Sequence, residues 1–270
     1  MSNIWDERYA MDGYLFGTQP NAFLLLQQNL LQQGAYCLAA ADGEGRNGIW
    51  LAEQGLRVLS VDSSAVAMNK ARTLTQQRGV TVDFELADLL QWDWGVNRFD
   101  VVAAIFIQFA GPEQRKRMFA NIRRCLKPGG LLLLPGYTPR QLEYGTGGPP
   151  SAENLYTETL LRRAFADWEI LHLREHDDFI SEGVAHHGMS ALIDLVARNL
   201  KPCCAPTAQF RRYPSRQPDA GRRIQVRRMK RSNAFTFLVS APINSLLWFR
   251  RKFPVQLVGF HSRHVIANNH

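Results

Sequence analysis

The chain has 270 residues, 46% hydrophobic and 21% charged, ordinary proportions for a soluble globular protein that exclude wholesale disorder, a collagen-like repeat and a polytopic membrane protein. Its net charge of +8 is unevenly placed: residues 1–200 carry 18 basic against 23 acidic residues, net −5, whereas residues 201–270 carry 14 basic residues against Asp219 alone, net +13. That asymmetry sets a boundary near Lys201-Pro202, between a body expected to fold as one domain (1–200) and a basic extension (201–270).

The N-terminal MSNIWDERYAMDG is acidic and lacks a basic stretch leading into an apolar run, so a cytoplasmic protein is expected. AYCLAAA, from residue 35, reads as a buried strand, followed by the turn DGEGRNG and a short helix, IWLAEQ, stopped by Gly55. RVLSVD is a second strand. A helix then runs from a cap at Ser63 or Ser64 to Gly79, with Ala67, Ala71 and Leu74 on one face. Val80, Val82, Phe84 and Leu86 alternate as a third strand, and FDVVAAIF at 99–106 reads as a fourth. Pro112 opens a helix with Phe119, Ile122 and Leu126 on its inner stripe, ended by KPGG before LLLLP, the fifth strand. After the loop YGTGGPP, a helix over 153–166 leads to the strands WEILHLREH and MSALIDLVA. Strands alternating with helices imply a mostly parallel α/β sheet of seven strands covered on both faces, and the closing helix-free pair implies one antiparallel strand at the sheet edge.

Gly43, Gly45 and Gly48 fit GxGxxG between a strand and a helix, and Asp62 closes the next strand. Glycines let backbone approach a ligand, and a carboxylate at that strand end accepts hydrogen bonds from ribose hydroxyls, so the pattern suits any adenosine cofactor, nicotinamide dinucleotides included. One glycine loop, Asp88 ending strand three, a KPGG turn before strand five and a terminal antiparallel pair together resemble the S-adenosylmethionine-dependent methyltransferases of the Rossmann-like class. LAAADGEGRNGIWLA is similar to the cofactor loop of a subgroup near the tellurite-resistance and thiopurine methyltransferases.

That resemblance, over about residues 3–199, implies S-adenosylmethionine as cofactor. It places Ala41, Asp42, Gly43, Gly45 and Asn47 at the cofactor loop, Asp62 on the ribose, Asp88 with Leu89 beside the adenine, and Trp5 and Tyr9 as a cover. Two positions depart from the family pattern: Ala39 stands for the usual acidic residue and Ala41 for the usual first glycine. The implied activity is methyl transfer to a small-molecule acceptor, with an RNA or protein methyltransferase, a non-catalytic cofactor-binding protein and a nicotinamide dehydrogenase as rivals.

Tyr137 and Tyr144 bracket the loop after strand five, where open α/β sheets place ligands, and are candidates for the acceptor side, as are His186 and His187 as bases. His172, His176, His186 and His187 match no zinc spacing and no cysteine joins them, so no metal is expected and HHG reads as a solvated hairpin. Cys37, Cys125, Cys203 and Cys204 contain no CxxC pair, in keeping with a reducing compartment. The run RRYPSRQPDAGRRIQVRRMKR at 211–231 reads either as a solvated arm or as a surface for phosphates; with Phe235, Phe237, Trp248 and Phe249 nearby, nucleic acid and an anionic membrane are both conceivable partners.

Overall fold

The computed structural model describes residues 4–200; the basic extension and every expectation placed on it lie outside the described residues. In chain order the elements are α1 (Ile4–Tyr9), α2 (Ala22–Leu26), β1 (Tyr36–Ala40), α3 (Arg46–Glu53), β2 (Arg57–Asp62), α4 (Ala65–Arg78), β3 (Asp83–Leu86), β4 (Phe99–Ala103), α5 (Pro112–Cys125), β5 (Leu126–Tyr137), α6 (Gln141–Tyr144), α7 (Glu158–Ala164), β6 (Glu169–Glu182) and β7 (His186–Arg198). They form one seven-stranded sheet in the order β3-β2-β1-β4-β5-β7-β6. β7 alone runs antiparallel to both of its neighbours.

Side chains alternate cleanly between the two faces, which is why the strands read as unbroken apolar runs. Leu38, Leu59, Val102 and Leu132 pack on one face against Met118, Phe119 and Ile122 of α5 and Leu161 of α7. Cys37, Val58, Val101 and Leu131 pack on the other against Ile49 and Leu51 of α3, Leu74 of α4 and Phe23 and Leu24 of α2. Each such fully buried aliphatic side chain contributes about 1.5–3 kcal/mol.

The local signals act where expected. The Ser64 hydroxyl accepts from the Ala67 amide at 3.1 Å to start α4, and Gly79, at φ 67°, ends it. Pro112 occupies the first turn of α5. Several boundaries differ. β3 begins at Asp83, because the Val80 amide still bonds back to the Thr75 carbonyl and belongs to the helix exit. β4 stops at Ala103, since Phe106 takes a left-handed φ of 55°. The expected helix over 153–166 shortens to α7, started by the Thr157 hydroxyl on the Leu160 amide, because the Tyr156 amide instead extends toward β5, donating to the Tyr137 carbonyl. The antiparallel strand β7 is not at the edge; it inserts between β5 and β6, leaving β6 outermost.

Candidate functional site

β1 and β4 are neighbours whose connections leave in opposite directions, and this switch point opens a crevice at the strands' carboxyl ends. A cavity of about 960 Å³ occupies it, at the upper end of the roughly 300–1,000 Å³ usual for ligand sites. Ala41, Asp42, Asn47, Asp62, Asp88, Leu89, Trp5, Tyr9, Tyr137 and His186, all singled out in the sequence, line this one cavity. Tyr144 and His187 do not. Tyr144 turns outward to the Arg140 guanidinium at 3.1 Å, and His187, exposed on the opposite side of β7 from His186, stacks edge-on with Phe179. The solvated-hairpin reading of HHG therefore holds for His187 and fails for His186, because successive residues of a strand face opposite sides.

The glycine loop is built by close approach. Gly43 lies at φ 58°, and a Cβ there would stand 2.5 Å from the Tyr9 hydroxyl; Gly45 lies at φ 87°, and a Cβ there would stand 2.7 Å from the Ala71 methyl. Ala41 also takes a left-handed φ, 51°, which explains why glycine is usual at that position. Asp62 accepts from the Gly43 amide at 2.8 Å and the Ser64 amide at 2.9 Å, tying the loop to the end of β2. Burial raises the Asp62 carboxyl above its ordinary value, against the pull of those amides. Asp42 supports the loop from beneath, accepting from the Gly48 amide at 3.1 Å and the Ser60 hydroxyl at 3.0 Å. Burial pushes it up to about 7 in spite of both donors.

Asp88 is exposed at the rim, where it accepts from the Leu90 amide at 2.9 Å, while Leu89 is buried in the core with its carbonyl bonded to the Trp94 indole. Trp5 and Tyr9 stack at 5.8 Å on α1, which forms part of the cavity wall; Asp6 anchors this helix by accepting from the Ser64 hydroxyl at 2.6 Å.

Sequence reasoning missed the role of the residues between the glycines. Glu44 is buried, accepting from the Leu15 amide at 2.8 Å and pairing with Lys70 at 3.0 Å. The Asn47 side-chain oxygen accepts from the Asn21 amide at 2.9 Å. Arg46 pairs with Glu182 at 2.6 Å, and Glu182 also accepts from the Asn21 side chain and the Ala22 amide. The loop thereby fastens both the N-terminal segment and the β6–β7 turn around the cavity. The only available signal was the charged pair in an otherwise glycine-rich turn.

The residues present fit an adenosine cofactor: the turn after β1, whose Ala41 and Asp42 line the cavity, a buried carboxylate at the end of β2, and a cavity running from both toward β5. Among the described residues no group of three or more metal-ligating side chains occurs, and no helix is long and apolar enough to cross a membrane.

Comparison with known proteins agrees with this geometry. Residues 38–130 match the family model described as a methyltransferase domain. Carboxy-S-adenosyl-L-methionine synthase of Pseudomonas putida (strain W619) is 37% identical over 86 residues, 30% of this chain and 35% of that protein. The chain thus spans about a third of the length of the curated relatives it matches. In structure it is similar to a protein solved for the conversion of a disulfide bond into a thioacetal group during echinomycin biosynthesis, with a TM-score of 0.58 and 22% identity over 73% of this chain and 90% of that one. It is also similar to TehB from Haemophilus influenzae, with a TM-score of 0.56 and 16% identity over 66% of this chain and 62% of that one. Loop, sheet order and the match over residues 38–130 make this part of the chain similar to methyltransferase domains of the Rossmann-like class.

Proposed function

We propose that the protein transfers a methyl group from S-adenosylmethionine to a small-molecule acceptor. The observation that carries this reading is the continuity of one cavity from Asp62, at the end of β2, to the aromatic end of β4, β5 and β7, with α1 and the β6–β7 turn contributing to its wall. A concave crevice of this size suits a small acceptor better than a macromolecular surface. The likeness to carboxy-S-adenosyl-L-methionine synthases supports the same cofactor; it covers too little of those proteins to carry their product over.

The cofactor, when bound, supplies an electrophilic methyl on a sulfonium. The chain's part is positioning, since alignment of nucleophile and leaving group accounts for about 7–11 kcal/mol of barrier in well-oriented reactions. Asp62 offers acceptor oxygens for ribose hydroxyls, the loop offers backbone, and Trp5 and Tyr9 exclude water above them.

Titration calorimetry on the full chain tests this reading, with S-adenosylmethionine, S-adenosylhomocysteine and NAD as titrants. Binding of the two sulfur compounds, absent for NAD and weakened at least about tenfold (about 1.4 kcal/mol) by Asp62→Asn, is the expected result. Binding of NAD in their place would favour a dehydrogenase, and binding without transfer to any acceptor a non-catalytic protein.

A further inference from the structure

The side of the cavity formed by the N-terminal segment, the loop after β4, β5 and β7 holds a second constellation. His186 is ringed by Phe16 at 4.5 Å, Phe106 at 5.1 Å and Tyr137 at 5.8 Å between ring centroids, and Phe106 and Tyr137 lie 4.7 Å apart. Within this apolar corner two polar atoms are buried without a hydrogen-bond partner, the Tyr137 hydroxyl and His186 Nδ1. Tyr137 is only 2% exposed. Unpaired buried groups are costly enough to require an explanation, and on two residues that line one ligand cavity they have a direct one.

The corner is also held rigidly. The Val184 and Ala185 amides both donate to the Leu15 carbonyl, and a Cβ at Gly183 would stand 2.5 Å from the Gly17 amide nitrogen, so the β6–β7 turn sits directly on the N-terminal segment. Phe106 reaches the corner only through its left-handed backbone, a conformation that is unfavourable for a bulky residue and is found preferentially at functional sites.

We propose that Phe16, Phe106, Tyr137 and His186 form the acceptor subsite, that it takes a neutral planar molecule bearing one weakly acidic hydroxyl or thiol, and that His186 removes the acceptor's proton. This rests on the reading of the cavity as a methyltransferase site. The aromatic walls select a planar apolar body. The charged groups facing His186 are Glu182 from β6, Arg46 from α3 and Arg8 from α1; Glu182 and Arg46 neutralise each other at 2.6 Å, and Arg8 is solvent-exposed, so its charge is screened and the buried corner favours a neutral acceptor.

Burial holds the His186 imidazole below its ordinary value, against Glu182, so at neutral pH it is the free base that can accept a proton. Such a base is better matched to a phenol or thiol than to an aliphatic alcohol, whose proton is far less acidic. Burial raises the Tyr137 hydroxyl above its usual range, keeping it a hydrogen-bond donor to the acceptor's oxygen or sulfur. In the transfer, a lone pair of the acceptor's oxygen or sulfur forms the bond to the methyl carbon. The bond from that carbon to the sulfonium breaks with its electron pair left on sulfur, and the acceptor's proton passes to His186. Glu182, 3.8 Å from His186 Nδ1, lies close enough to stabilise the imidazolium.

The test uses the full chain with S-adenosylmethionine and three probes: phenol, thiophenol and 4-nitrophenol. The expected result is turnover of phenol and thiophenol by the wild type, with the phenol rate falling as pH drops below the imidazole's titration, whereas thiophenol, already largely ionised, tests the apolar walls alone. His186→Gln should lower kcat/KM for phenol by about 100-fold or more and leave 4-nitrophenol, already ionised at about pH 8.5, within about fivefold, because a base is then superfluous. Tyr137→Phe should raise KM for phenol and thiophenol with cofactor affinity unchanged. Equal losses on phenol and 4-nitrophenol would make His186 structural and overturn the proposal. A wild type that binds the cofactor but methylates neither phenol nor thiophenol would overturn it too, leaving the cofactor reading intact. A wild type that binds no cofactor would remove both.

Discussion

Replacing Glu182 by glutamine tests whether the lock around the cavity is electrostatic. Glu182 accepts from Arg46 at 2.6 Å, from the Asn21 side chain at 2.8 Å and from the Ala22 amide at 3.1 Å. Glutamine preserves the oxygen that serves Asn21 and Ala22, removes the charge and puts an amide donor where Arg46 had its acceptor. Burial alone would raise the Glu182 carboxyl, but His186 and the Arg46 guanidinium outweigh it and bring it from 4.5 down to about 2. At about 1.4 kcal/mol per tenfold change in acidity, this is worth about 3 kcal/mol. The independent expectation for stranding a buried arginine is about 3–5 kcal/mol, and the Arg46 side chain is only 7% exposed. The two routes agree on about 3 kcal/mol.

Urea denaturation at pH 7 measures the effect, which should move the midpoint by about 1–2 M. Because the folded carboxyl titrates below the unfolded one, the difference between wild type and variant is fully present above about pH 5 and vanishes as pH falls toward about 2. The Arg46→Met/Glu182→Gln double variant should be at least about 1 kcal/mol more stable than the sum of the single effects, since no buried charge is stranded. A single-variant loss below about 1 kcal/mol, or a loss independent of pH, would refute the reasoning.

Three further outcomes follow from the loop. Ala41→Gly should stabilise the protein by about 0.5–1 kcal/mol in a thermal melt, because relief of left-handed strain exceeds the added chain entropy. Gly45→Ala should cost about 1–3 kcal/mol and weaken cofactor binding by calorimetry, since its methyl would collide with Ala71 at a φ only glycine adopts readily. Asp42 titrates near 7 in the folded chain and at 3.8 unfolded, so its contribution is lost as pH rises through about 7. Asp42→Asn should therefore gain stability relative to wild type between about pH 4 and 7 and hold a constant advantage above that, measured as a difference in urea midpoints.

Much of the fold was legible because buried parallel strands write continuous apolar runs, and RVLSVD, FDVVAAIF and LLLLP are such runs. The Ser64 cap, Pro112 and Gly79 marked helix ends by local chemistry that needs no tertiary partner. Where tertiary pairing decided, local signals failed: Tyr156 joins β5 rather than opening a helix, and β7 inserts between β5 and β6 because the hairpin's antiparallel ladder reaches from Arg198 to His186. The glycine loop and Asp62 were legible as chemistry. The roles of Glu44, Arg46 and Glu182 were not, since a bond spanning 136 residues leaves no trace in spacing. His186 and His187 look alike in sequence, and only the strand's phase separates a cavity-facing imidazole from an exposed one.

The most direct measurement is a crystal structure of the chain with S-adenosylhomocysteine. The account predicts density in the cavity between β1 and β4, with ribose hydroxyls on the Asp62 carboxylate and the sulfur turned toward Phe106, Tyr137 and His186. Ligand density anywhere else on the chain, or a ribose held away from Asp62 and the glycine loop, would contradict it.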